Sequence, residues 1–379
     1  MTFAPNPAPN PAPVPASVPA PATTAQPGST TPISWPDAAR ETAFWRWLAP
    51  LAAACGLDTA TLAPASADAS FRRYFRVQGA GGRSHIVMDA PPPQEDVRPF
   101  VDIARRIHAA GLHAPAVLAV DAEQGFLLLD DLGSALYLPA LQQAEPAQAD
   151  VLMRGLVTAL VQWQQGVDGS GLPTYDDALL RRELQLFPDW CVQREFGITW
   201  SAAQQATWAR LCDLLVASAL AQPQVTVHRD WMPRNLMLAE PRPGILDFQD
   251  AVRGPVTYDI ASLLRDAFHS WDEAQEIDWA ARWWQQARAA GVLGEHEMAS
   301  DFGAAWRALE WMGLQRHLKV LGIFCRLKHR DGKPAYCADL PRFFAYVTKV
   351  AQRYRDLGPL VALIEPMSGP LTSTGFSMR

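Results

Sequence analysis

Asp230, Asn235 and Asp247 crowd oxygen-bearing side chains into one short part of the chain. The stretch reads His228-Arg229-Asp230-Trp231-Met232-Pro233-Arg234-Asn235, then Ile245-Leu246-Asp247-Phe248. One acid sits beside a strand-like run, an amide follows five residues later, and a second acid closes an apolar run twelve residues beyond that. Moving a phosphoryl group from ATP to an alcohol needs this set. A carboxylate beside the acceptor hydroxyl takes its proton, and hard oxygen ligands hold Mg²⁺ against the phosphates. Asp230 is the candidate base; Asn235 and Asp247 are the candidate metal ligands. Pro233 marks a turn, and turns favour Asp and Asn for backbone reasons alone. A turn made only for folding, however, requires neither the order His-Arg-Asp nor the second acid. His228 reads as a packed, hydrogen-bonded support for the loop rather than a base.

These residues fall in a short β interruption over 225–248, set among helices. Helical spacing of apolar residues predicts helices over 146–166, 176–196 and 201–221 before it, with Leu152, Leu156 and Trp163 as one buried stripe. Further helices are expected over 257–268, 275–290, 299–318 and 339–357. Upstream, Asp37 follows Pro36 and can cap a first helix carrying Phe44, Leu48 and Leu51. Residues 60–130 read β-β-β-α-β-β. Phe71–Val77 and His85–Met88 are rich in β-formers, Val97–Ala110 is helical and stops at Gly111, and Val117–Val120 and Phe126–Leu129 follow as strands. The expected fold is α+β and two-lobed, a small antiparallel sheet lobe with one helix beside a larger, mostly helical lobe. The expected boundaries are an extension over 1–36, a small nucleotide-binding lobe over 37–131, a large catalytic and substrate-binding lobe over 132–366, and a loose tail over 367–379.

Composition bounds the partners. The 379 residues carry 33 Lys+Arg against 39 Asp+Glu, a net charge of −6, which gives no global field to attract nucleic acid or an anionic membrane. Cys55, Cys191, Cys212, Cys325 and Cys337 are scattered, with no CxxC pair and no accompanying His cluster, so neither a zinc site nor a disulfide framework is expected. Unpaired thiols suit a reducing compartment. With no apolar run of membrane-spanning length and no basic-then-apolar leader, the cytoplasm is the expected location. No obligatory protein partner is expected. Residues 1–36 hold eleven of the 32 prolines and no charge. They read as a disordered, partly polyproline-like extension, either a plain linker or a Pro-rich ligand for another protein.

His228–Asn235 matches the signature H-R-D-x-x-x-x-N in full, and Asp247-Phe248 ends an apolar strand downstream of it. With Leu246–Asp250, Gly254–Asp259 and the linker-like Leu127–Gly133, this stretch resembles the aminoglycoside phosphotransferase/choline kinase branch of the protein-kinase-like fold. The resemblance extends over about residues 40–360. More narrowly, Asp68–Arg76, Met88–Pro92, Arg182–Phe187 and Asp247–Val252 resemble the anomeric N-acetylmuramate/N-acetylglucosamine kinases of bacterial cell-wall recycling. That resemblance implies ATP and Mg²⁺ as cofactors and a small amino sugar as substrate. It also implies phosphorylation at the sugar's C1 hydroxyl, giving a sugar 1-phosphate for a later nucleotidyltransferase. Adenine is then expected to pair with backbone groups near Leu129–Asp131, between the lobes. Asp259 is expected to brace the catalytic loop.

The chain departs from the wider family at one point. A small lobe of this type carries a lysine on its third strand, but the four lysines here begin at Lys319, and the matching strand reads Ile86-Val87-Met88-Asp89. The nearest cations are Arg72, Arg73 and Arg76. Strand alternation places Arg73 on one face with Phe75 and Val77, and Arg72 and Arg76 on the other. Arg73 is the preferred phosphate partner, with Arg76 also a candidate; a solvated face of arginines is the plain alternative. Ser70 fits either a phosphate contact or an ordinary turn. Gly79–Gly82 reads as a β-turn. Trp190 and Trp231 are candidates to stack on a sugar ring, whereas Trp279, Trp283 and Trp306 read as core. Glu183 and Arg316 fit contacts to sugar hydroxyls or a lactyl carboxylate, and equally surface ion pairs. Asp250 fits a sugar contact or a brace.

Three rivals stand beside the amino-sugar reading. One is the same chemistry on an aminoglycoside, choline or homoserine, although a dense acidic cleft for a polycation is lacking. The second is a catalytically silent nucleotide-binding module, supported by the missing lysine and opposed by the intact Asp230/Asn235/Asp247 set. The third is a protein kinase, for which the short span from Asp247 to Asp259 leaves little room for an activation loop.

Overall fold

The first helix begins where the prolines stop. In the computed structural model, which describes residues 33–67 and 71–368, the Asp37 carboxylate accepts the Arg40 amide at 2.7 Å and caps helix α1 (Ala38–Cys55). Gly56, in the left-handed region at φ 64°, ends it. Strands β1 (Asp58–Ala67), β2 (Arg73–Gln78) and β3 (Ser84–Asp89) follow, then helix α2 (Arg98–Ala109) and strands β4 (Val117–Asp121) and β5 (Phe126–Asp130). They form one antiparallel sheet in the order β1-β2-β3-β5-β4. Alternation along the strands sends Phe75, Val77, Val87, Phe126 and Leu128 to one face, where they bury Phe44 and Leu48 of α1. Ile33 and Trp35 also pack on this core, the Trp35 ring lying 4.8 Å from Phe44, so the sheet unit begins a few residues before Asp37. The remainder of the proline-rich extension and the residues after Ser368 lie outside the described residues.

The chain divides into two compact units. One holds the chain through Ala104 together with Pro115–Asp131; the other holds Arg105–Ala114 and everything from Leu132 onward. The division falls inside α2, so the second half of that helix belongs with the helical unit.

The helical unit runs α3 (Tyr137–Gln143), α4 (Pro146–Gly166) and α5 (Asp177–Leu186), which passes directly into a π-helical stretch, Phe187–Glu195. Pro188 has no amide to give an α-turn, and the wider turn absorbs that loss. Next come α6 (Ala202–Ala221), then β6 (Gln224–Val227), β7 (Leu236–Met237), β8 (Gly244–Ile245) and β9 (Val252–Pro255), paired β6 with β9 and β7 with β8. The chain closes with α7 (Tyr258–Leu264), α8 (Glu273–Ala289), α9 (Phe302–His329), α10 (Leu340–Arg353) and α11 (Pro359–Ser368). Met367 and Ser368, expected in a loose tail, are buried in α11.

Helix α9 is the axis of this unit. Every residue from Leu309 to Leu327 is buried, so it has no solvent face to give it a periodic stripe, and it continues well past the expected end at 318. It lies very close to the end of α5. A Cβ on Gly322 would fall 2.4 Å from the carbonyl carbon and oxygen of Leu186, so only glycine permits this approach.

Candidate active site

Strand β6 delivers the chain to His228, and Asp259 in the first turn of α7 receives it. The Asp259 carboxylate, wholly buried, accepts the His228 amide at 2.7 Å and the Arg229 amide at 3.0 Å. Burial raises the Asp259 carboxyl to about 7, against the pull of those two amides. Arg229 sits at φ 77°, a left-handed conformation that a non-glycine residue holds only when its surroundings enforce it. Its guanidinium supplies part of that enforcement, because Nη2 donates to Glu183 at 2.6 Å. Glu183 also takes Lys319 Nζ of α9 at 2.9 Å and the Tyr175 hydroxyl. Burial alone would raise the Glu183 carboxyl, but the charges of Lys319 and Arg229 and the hydrogen bonds from Tyr175 and Lys319 hold it down at about 2. The loop is thus anchored from α5, α7 and α9 at once.

Past Arg229 the three oxygen-bearing residues converge. The Asp230 carbonyl accepts both the Met232 amide at 2.8 Å and Asn235 Nδ2 at 3.0 Å. Asn235 Nδ2 also lies 3.5 Å from Asp247 Oδ2. The Leu246 amide donates to the Asn235 carbonyl at 2.9 Å, tying the β7–β8 pair to the residue before Asp247. Asp247 is left-handed at φ 59°, and Gln249 Nε2 donates to its Oδ1 at 2.9 Å. His228 bridges the two acidic segments: Nε2 lies 3.0 Å from the Leu246 carbonyl, and Nδ1 accepts the Asp230 amide at 3.2 Å. This pattern assigns the proton to Nε2. Burial lowers the imidazole to about 4, so His228 is neutral at pH 7 and supports the loop. Arg316 of α9 places Nη2 3.7 Å from Asp230 Oδ1 and 3.1 Å from Met232 Sδ.

A model of the phosphotransferase enzyme family matches residues 61–311. The chain belongs to that family. Among its relatives, an N-acetylmuramate/N-acetylglucosamine kinase of Pseudomonas putida is 54% identical over 304 residues, which span 80% of this chain and 87% of that one. A kinase with the same name from Pseudomonas aeruginosa is 55% identical over 307 residues, 80% of this chain and 88% of its own. Among solved structures, an ADP-bound aminoglycoside phosphotransferase superposes with a TM-score of 0.55 over 83% of this chain and 99% of its own; at 12% identity it speaks for the fold alone. Among the described residues of this phosphotransferase, no helix is long and apolar enough to cross a membrane.

Several expectations for individual side chains change. Glu183 is no sugar contact, because it is only 2% exposed and is saturated by Arg229, Lys319 and Tyr175. Trp231 is no stacking platform; it is fully buried, with its ring 5.7 Å from Trp163 and 5.6 Å from His228. Trp190 lies half-buried on the π-helical stretch. Trp279 and Trp283 are core residues, and Trp306 is half-buried, facing the Arg265 guanidinium. Arg316 is not in a surface ion pair but buried beside Asp230. Asp250 is half-buried and receives Gln249 Nε2 at 3.3 Å.

In the sheet unit, Arg73 is held away from a phosphate role. It donates to Asp89 and to the Ser34 carbonyl at 2.7 Å, and its guanidinium lies 4.6 Å from the Trp35 ring, on the face that α1 covers. Asp89 is wholly buried and takes Arg40 as well, so it requires both cations. Arg76 lies on the opposite face and meets Asp131 at 2.5 and 3.0 Å, while Ser84 Oγ donates to the same carboxylate at 2.6 Å. Leu129 is buried on β5, directly across from Ile86. Arg72 is buried and lies 3.8 Å from Glu95. Ser70 lies outside the described residues.

Sequence reasoning missed Lys319, Tyr175 and Gln249. The one available signal was Lys319 itself, the first lysine after more than three hundred residues without one.

Proposed function

We propose that this chain is an ATP- and Mg²⁺-dependent sugar kinase that phosphorylates the C1 hydroxyl of N-acetylmuramate or N-acetylglucosamine in cell-wall recycling. The observation that carries this reading is that Asn235 bonds the Asp230 carbonyl and lies 3.5 Å from the Asp247 carboxylate, so the two acidic segments meet at one braced point. The substrate class comes from the two Pseudomonas relatives, which match most of the chain at more than half identity.

The donor set suits a hard cation. Asp247 offers a carboxylate, and Asn235, whose Nδ2 is directed to the Asp230 carbonyl, offers its amide oxygen. When bound there, Mg²⁺ supplies charge neutralisation on the ATP phosphates. The rest of the chemistry falls to the chain. The Asp230 carboxylate, part-exposed at 19%, accepts the proton of the sugar hydroxyl and orients it for attack. The nearby Arg316 guanidinium and the hydrogen bond that the Asp230 amide donates to His228 Nδ1 limit how far Asp230 can turn. Gln249 fixes the orientation of Asp247.

The reading is tested with purified protein, Mg-ATP and an acceptor panel of N-acetylmuramate, N-acetylglucosamine, choline, homoserine and an aminoglycoside. The expected product is a sugar 1-phosphate, seen as loss of the reducing end together with an anomeric phosphorus signal. Turnover on choline, homoserine or the aminoglycoside but not on either amino sugar would reject the substrate assignment.

A further inference from the structure

Three of the five scattered cysteines meet in the fold, far along α9 from the catalytic loop. Cys325, fully buried on α9, lies beside Cys191 and within 4.8 Å of the Cys337 sulfur, whose thiol donates to the Phe324 carbonyl at 3.8 Å. Cys191 comes from the π-helical stretch, and half-buried Cys337 from the short helical segment Pro334–Asp339. A carboxylate joins them: the ligand atoms of Glu195, Cys325 and Cys337 all lie within 4.8 Å of one another. Glu195 is itself held by α9, with Lys328 Nζ and His329 Nε2 each 2.6 Å from one of its oxygens.

We infer that Glu195, Cys325 and Cys337 form a binding site for a zinc-class divalent cation, a site separate from the catalytic one. Two sulfurs and a carboxylate oxygen are the ligands that Zn²⁺ and Cd²⁺ prefer and Mg²⁺ does not. Tetrahedral ligation with Zn–S near 2.3 Å puts the sulfurs roughly 3.8 Å apart, so the sulfurs need to close by at most about 1 Å. The fourth position falls to Cys191 or water. The spacing helps: Cys191 and Glu195 are four residues apart on one helical stretch, as are Cys325 and His329 on the other. Lys328 and His329 already orient the ligating carboxylate, as the outer partners of a metal ligand do. A simple thiol pair poised for a disulfide has no use for that carboxylate and its two braces, so the cluster favours metal. Binding replaces the Cys325 and Cys337 thiol protons with the cation and releases them to solvent. The bound ion ties the π-helical stretch, α9 and the Pro334–Asp339 segment together.

The test uses the full chain, reduced and stripped of metal, titrated with Cd²⁺ in the presence of excess Mg²⁺. The expected result is one Cd²⁺ per chain with a saturable thiolate-to-metal charge-transfer absorption. Cys325→Ser and Cys337→Ser should remove that absorption, His329→Gln should weaken binding roughly 10–100-fold, and Cys55→Ser should leave it unchanged. In the unmutated protein, equimolar Zn²⁺ should slow alkylation of Cys337 at least tenfold, read by mass spectrometry; this readout stands even where Cys325→Ser does not fold. Absence of the absorption at stoichiometric Cd²⁺, its survival in Cys337→Ser, or alkylation of Cys337 indifferent to Zn²⁺ would each overturn the assignment. So would formation of a Cys325–Cys337 disulfide in a protein that takes up no metal. None of these readouts depends on kinase activity.

Discussion

Both units bind arginines to buried carboxylates, but the cations lie at different depths. In the sheet unit, the Arg73 and Arg76 side chains are 24% and 32% exposed as they reach Asp89 and Asp131. In the helical unit, Arg229 and Lys319 are 8% and 7% exposed around a Glu183 that is 2% exposed. Exposed ion pairs contribute little, but the pairs of the sheet unit join part-exposed cations to carboxylates only 0% and 3% exposed. A buried triad gains little in net stability either, yet it cannot lose one member without stranding the others. The sheet unit pairs part-exposed cations with buried carboxylates, whereas the helical unit buries both partners and uses its charges to fix backbone. Arg229 illustrates the second use: an ion pair at its tip accompanies a left-handed conformation at its root.

Perturbing that contrast gives graded effects. The largest is catalytic. Asp230→Asn should cut kcat by about 10²–10⁴-fold with the melting temperature unchanged, because Asp230 meets the loop mainly through its backbone; wild-type turnover in this variant would remove Asp230 as the base. Next is Glu183→Ala, which leaves Arg229 and Lys319 buried without their carboxylate and should cost about 3–5 kcal/mol in denaturant unfolding. A loss below 1 kcal/mol would abolish the distinction between the units. Third, Asp247→Ala should raise the Mg²⁺ concentration needed for half-maximal rate, and an unchanged magnesium dependence would remove it as a ligand. The smallest effects belong to the sheet unit. Arg76→Gln should cost less stability than Glu183→Ala, because Ser84 still donates to the buried Asp131 carboxylate, while raising the KM for ATP; Arg73→Gln, on the α1 face, should leave that KM alone. Equal KM effects from the two would erase the difference in face.

Acid sharpens the same contrast. The Glu183 carboxyl sits at about 2 in the folded chain against 4.5 ordinarily. Its contribution is therefore present above pH 4.5 and lost as pH falls toward 2. Glu183→Gln should lack this increment, so its stability should fall less steeply than that of the wild type across the window, measured by chemical unfolding at each pH. Parallel curves would mean that the carboxyl is not held low.

Local order was legible where chemistry or alternation is local. The strand pattern of the sheet unit and the sequence His228–Asn235 were readable because neighbouring residues carry them. Alternation separated Arg73 from Arg76 but was silent on which face α1 would cover, and it is the Arg73 face that α1 covers. Glu183, Arg229 and Lys319 are far apart in sequence and meet only because α5 packs on α9. Helix α9 likewise brings Cys325 to Cys191 of the π-helical stretch and to Cys337 of the Pro334–Asp339 segment. The length of α9 escaped for a different reason: a helix buried on all sides shows no amphipathic period to follow.

Gly322 gives this packing a mechanical reading. It sits three residues from Lys319 in one direction and three from Cys325 in the other, against Leu186, itself three residues from Glu183. A methyl group at that point would act as a wedge between two rods, prising apart the acid–lysine bond at one end and the thiol cluster at the other. The smallest side chain in the protein thus sets the spacing for two sites that share no ligand.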